Sequence, residues 1–193
     1  MTTTHYSPIE EHLHAISHGI GAILSVVALI LMLQLSIQAN DNWRLFGSVI
    51  YGNSLILLYS SSTLYHSIQH TEIKHRLRQL DHAAIFILIA GTYTPFTLVN
   101  LRNDWGLPLF GLIWLVAITG VIIELATALK YKKLSLGLYL GMGWLVVIAI
   151  QPMLNNVDTG GLLLLLAGGL SYSFGVIFYA WKRLFMHHAI WHL

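Results

Sequence analysis

Six long apolar runs separated by short polar breaks dominate the chain, at roughly His18–Gln38, Leu45–His66, Ala83–Leu101, Gly106–Leu129, Leu134–Met153 and Gly161–Trp181. Each is near the ~20 residues that a helix needs to cross the hydrocarbon core of a bilayer. A seventh run, Leu184–Leu193, follows Lys182-Arg183 and is too short to span. Helix is the open choice for such runs, because lipid offers no partner for exposed backbone polar groups. The pattern therefore predicts an all-α integral membrane protein, a single helical-bundle domain over residues 1–193 with six complete transmembrane spans and a truncated seventh. The first run follows Glu10 and Glu11 rather than a basic region, and it is too long for the core of a signal peptide, so it is expected to stay as a span.

Composition agrees with that pattern. Charged residues make up 9% of the chain, hydrophobic ones 56%, and mean hydropathy is +0.69, whereas soluble domains carry about 25% charge. A net charge of +2 gives no argument for a nucleic-acid partner. The expected partners are membrane lipids. Numbering the loops gives orientation. Lys74, Arg76, Arg78, Lys130, Lys132, Lys133, Lys182 and Arg183 fall on the side that holds the N-terminus, against Arg44 and Arg102 on the other. This asymmetry places the N-terminus and the C-terminal segment in the cytoplasm, so the expected location is a bacterial inner (plasma) membrane.

All eleven histidines fall on that same inner side, brought to one depth from positions far apart in sequence. His188 and His192, at i and i+4 of a helix, present two imidazoles from one face. With no cysteine in the chain, a metal site has to use His, Asp or Glu. A catalytic Zn²⁺ needs a third protein ligand and an open position, and His66, ending the second run, is the candidate third ligand.

Other constellations admit two readings. Ser62 and His66 share a face, which suits a metal ligand with a substrate-binding hydroxyl, or an interfacial His beside serines bonded to their own helix. Asp81 is either a carboxylate serving a metal site or a charge favouring a helix N-terminus. Glu11, His14 and His18 form one stripe able to support the same site, with His14 read as a wet residue of the interfacial first turn. Glu124, inside the fourth run, is expected to be structural or gating, with Lys130 or Lys132 as a partner. Gly137/Gly141 and Gly168/Gly169 are expected at close helix contacts, and Pro95 is expected to kink the third run.

Together these pieces resemble the hemolysin III family, the bacterial branch of the progestin and adiponectin receptor superfamily. The resemblance rests on Glu11/Ser17/His18 in a first-span pattern E-x-x-N-x-x-S/T-H, on Ser62/His66 followed by Asp81, on Gly91-Thr92-Tyr93-Thr94-Pro95-Phe96, and on the terminal His188/His192. Two departures stand out: the family's Asn is His14 here, and the seventh span is cut off at Leu193. The resemblance implies a seven-helix bundle with Zn²⁺ near the cytoplasmic face, held by His66, His188 and His192. Asp81 would act on the attacking water, with Ser62 beside it, and Glu11 and His18 would support the ligands. It further implies hydrolysis of a lipid amide or ester and a link to membrane-lipid homeostasis. The alternatives are a cytolytic membrane protein, or a receptor or fluidity sensor with structural zinc.

Overall fold

The structure, a computed structural model, describes residues 7–102 and 105–192. They are predominantly helical, with no strand among the described residues. The helices are α1 (Pro8–Gln38), α2 (Asn42–Ser67), α3 (Thr71–Pro95), α4 (Gly106–Thr127), α5 (Lys132–Trp144), α6 (Ile150–Asn156), α7 (Thr159–Ala180) and α8 (His187–His192).

Among the described residues, five helical runs are long and apolar enough to cross a membrane: Pro8–Gln38, Thr71–Asn100, Gly106–Thr127, Lys132–Asn156 and Thr159–Ala180. α2, expected as the second span, has 26 residues, but its many polar residues keep it out of that class. Ser48, Ser54, Ser61 and Ser62 are buried, because α2 packs against both α1 and α3. The hydroxyls of Ser54 and Ser61 bond to their own helix backbone.

α1 starts ten residues before the expected span. Ser7 and Glu10 form a reciprocal capping box, and Pro8 takes the first turn, where its missing N–H costs nothing. At 31 residues the helix is about 46 Å long, so one end extends past a ~30 Å hydrocarbon core. That extension carries Glu11, His14 and His18.

Pro95, the expected kink point, ends α3, and its effect is a change of helix type. The chain continues as a π-helical turn over Phe96–Asn100, closed by Leu101 N–H to Phe96 O at 3.0 Å. The fifth expected span is also not one α-helix. A 3₁₀ turn, Leu145–Ala149, separates α5 from α6. Tyr93 seals this break: its hydroxyl accepts from Val146 N–H at 2.8 Å and donates to Met142 O at 2.8 Å. Pro152 lies in the first turn of α6, where a proline ring is tolerated.

The core lies between α3, α4 and the α5–α6 run, around Phe86, Ala90, Ile113, Ala117, Ala149 and Met153. Close helix contacts fall at glycines other than those expected. A Cβ at Gly52 would come within 2.5 Å of Leu29, and one at Gly120 within 2.4 Å of Phe86. Gly137, Gly141, Gly168 and Gly169 face open space, so the expectation that they mediate close packing is corrected.

Candidate metal centre

The start of α1, the end of α2 and the whole of α8 meet at one end of the bundle. α8 reaches this place because α7 leaves room for it. Gly175 lies under the Trp191 ring, which would be 2.8 Å from any Cβ there. Tyr179 packs on the same ring, centroid to centroid at 5.6 Å. With Trp191 seated outward on α7, His188 and His192 turn inward.

There they meet His66 from α2 and His14 from α1. The four residues offer ligand atoms that all lie within 4.8 Å of one another. His14, His66 and His188 are buried. The Nε2 atoms of His188 and His192 are 3.2 Å apart. Two nitrogens on a tetrahedral Zn²⁺ at about 2.0–2.1 Å each would be about 3.3–3.4 Å apart, so this pair already has the spacing one ion requires. Burial and the neighbouring imidazoles hold His188 below the ordinary histidine value. A neutral ring with an electron pair to give is the form that binds a metal. Four imidazoles and no thiolate make a donor set that suits Zn²⁺.

His66 is fixed by a carboxylate. Its Nδ1 lies 2.7 Å from Glu11 Oε2. An ionised carboxylate only accepts, so Nδ1 carries the proton and Nε2 carries the lone pair. Glu11 is anchored in turn by Lys74, whose Nζ is 3.0 Å from Oε1 and donates to Tyr65 O at 3.0 Å, near the end of α2. This Lys74–Glu11–His66 chain ties α1, α2 and α3 together. A carboxylate behind a ligating histidine is the usual means of orienting the ring and raising its basicity.

His18 stacks beside the set, its ring 4.0 Å from that of His192 and 5.1 Å from that of Tyr59. Ser62 is fully buried one turn before His66. Its hydroxyl lies near Asp81 of α3. Asp81 is half-buried and outside the imidazole group. Glu124 is buried, and among the described residues neither Lys130 nor Lys132 pairs with it. Its neighbour is the Tyr139 hydroxyl at 3.5 Å, which also donates to His82 O at 2.9 Å.

Sequence reasoning misplaced His14, which is fully buried at the centre of the cluster rather than wet. The available signal was its register: Glu11, His14 and His18 repeat at helical spacing, so once Glu11 turns inward His14 follows. Lys74 was also missed as Glu11's partner. Its basic loop drew attention for orientation alone.

An all-helical membrane protein with a buried imidazole cluster at one end of its bundle is the class these features define. The family model described as "Haemolysin-III related" matches residues 6–193, and the chain belongs to this family. It is 46% identical over 184 residues to "Hemolysin-3" of Bacillus cereus, covering 95% of this chain and 84% of that protein. It is 43% identical over 183 residues to the "Hemolysin-3 homolog" of Bacillus subtilis (strain 168), covering 95% and 86%. It is also 33% identical over 188 residues to the human "Monocyte to macrophage differentiation factor", covering 93% and 77%. No solved structure matches.

Proposed function

We propose that this protein is a zinc-dependent hydrolase of lipid amides or esters, acting on the inner leaflet of a bacterial plasma membrane and serving membrane-lipid homeostasis. In this reading α2 crosses the membrane with the five more apolar runs, both termini are cytoplasmic, and the substrate is a membrane lipid. The observation that carries the reading is the convergence of His66, His188 and His192 with His14, one helical turn from the buried Ser62.

Zn²⁺ in this set would supply a Lewis acid able to polarise a carbonyl. The protein's own residues do the rest. Asp81 takes a proton from the attacking water and passes it to the leaving oxygen or nitrogen. Ser62 positions that carboxyl. Glu11, held by Lys74, keeps His66 in the ligating tautomer, and His18 packs the His192 ring in place.

A second reading is favoured by one observation: four imidazoles rather than three. A closed set of four protein ligands is the mark of structural zinc. That suits a receptor, or a membrane-perturbing protein of the kind the Bacillus cereus relative's name suggests. Zinc content and released fatty acid, measured on the same purified samples, separate the two. Asp81→Asn is expected to keep its zinc and lose hydrolysis, and His66→Ala to lose both. A zinc-loaded parent and a zinc-loaded His14→Asn variant that both release no fatty acid from any inner-leaflet lipid would leave the structural reading.

A further inference from the structure

We infer that His14 is a fourth metal ligand that closes the centre, so that the resting site has no position open to water or substrate. The inference rests on the zinc reading above but not on hydrolysis.

Three features of the geometry assign this role. First, His14 is in ring contact with each of the three expected ligands. Its ring centroid is 4.5 Å from that of His66, 4.9 Å from that of His188 and 4.5 Å from that of His192. His192 is equally central, at 4.9 Å from His66 and 4.8 Å from His188, while the His66 and His188 rings are 5.8 Å apart. An additional imidazole in contact with all three expected ligands is near enough to complete a tetrahedral set.

Second, its ligand atom belongs to the same group, within 4.8 Å of the other three. Closing to the spacing of a tetrahedral set, about 3.3–3.4 Å, takes side-chain shifts of about an ångström together with a turn of the His14 ring out of its stacked arrangement on His192. Third, its backbone is held. His14 lies one turn after Glu11, and Glu11 is bonded to both His66 and Lys74. The first turns of α1 are thereby pinned to α2 and α3, and the His14 ring is fully buried. Among the described residues, no carboxylate joins this group. Asp81 is not among its members, and on this reading His14 fills the position that a catalytic zinc keeps for water.

Function follows from coordination number. With four imidazoles bound, the centre binds metal tightly and is inert. Removing His14 from the metal, by movement of α1 or by substitution, opens one position. Hydrolysis would then be governed by whether the start of α1 is docked.

The test uses the full chain in detergent, loaded with Co²⁺ in place of Zn²⁺, with azide as the probe of an open position. X-ray absorption counts the histidine ligands, and visible absorption reports azide binding. The wild type is expected to bind one Co²⁺ with four histidine ligands and a spectrum unchanged by azide. His14→Asn and His14→Ala are expected to keep one Co²⁺, show three histidine ligands, and change spectrum on azide addition. A wild-type spectrum that shifts with azide overturns the inference without any variant, as does an unchanged histidine count in both variants. If the wild type takes up no Co²⁺ or Zn²⁺ at all, the zinc reading fails and this inference falls with it. If cobalt binds but the wild type responds to azide, only the closure by His14 fails.

Discussion

Removing the Glu11 carboxylate perturbs stability and metal affinity through contacts that are fully defined. Glu11 takes one hydrogen bond from His66 and one from Lys74, at 2.7 and 3.0 Å, and is 5% exposed. Glu11→Ala strands both partners. Breaking a buried ion pair from one side costs about 3–5 kcal/mol. The Lys74 side chain is 20% exposed and retains its bonds to Tyr65 O and Ile68 O, which puts the expected loss at the low end, about 3 kcal/mol. Glu11→Gln keeps an acceptor oxygen and loses the charge, so about 1 kcal/mol is expected, the difference between charged and neutral hydrogen bonds. Metal affinity falls as well, because the His66 ring loses the group that sets its tautomer. A loss of about 10–100-fold corresponds to about 1.4–2.7 kcal/mol. Thermal unfolding of apo-protein in detergent measures the first quantity, and competition against a chelator measures the second. Zinc affinity in Glu11→Ala within threefold of the parent, with an unchanged melting temperature, would refute the role given to this carboxylate.

Gly120→Ala drives a methyl into Phe86 and is expected to cost about 1–3 kcal/mol by overpacking. Gly137→Ala meets nothing within 4 Å and is expected to be neutral or to stabilise by up to about 1 kcal/mol through helix propensity; equal effects in an unfolding titration would contradict the packing described. Tyr93→Phe leaves the Val146 N–H and Met142 O at the α5 break without their hydroxyl. A loss of about 1–3 kcal/mol is expected, and an unchanged melting temperature would remove Tyr93 from that role. Reporter fusions at Leu193 and near Asn103 should report opposite sides of the membrane, and identical signals would sink the proposed orientation.

The apolar runs made the helical architecture legible, since a residue such as Ile113 or Phe86 sits in a stretch that only a helix can carry through lipid. Less legible was what the polar residues inside those stretches do. α2 reads as a span by length, yet Ser48, Ser54, Ser61 and Ser62 are there because the helix is wrapped by α1 and α3, a tertiary fact with no local signal. The 3₁₀ break after Trp144 likewise depends on Tyr93, some fifty residues upstream. At the candidate centre, i to i+4 spacing was enough to pair His188 with His192, and depth in the membrane brought in His66. His14 escaped because a polar first turn is normally wet. Only the inward rotation of α1, fixed by Lys74 on Glu11, reverses that expectation. The small-residue faces misled for the complementary reason: Gly137 and Gly168 permit a close approach that no described helix makes.

The buried imidazoles are placed to hold one metal ion. Zinc stoichiometry of the purified protein, compared with a His188→Ala/His192→Ala double variant under identical loading and washing, addresses this most directly. One zinc per wild-type chain and none retained by the double variant is the predicted result. A double variant that keeps its full zinc would contradict it.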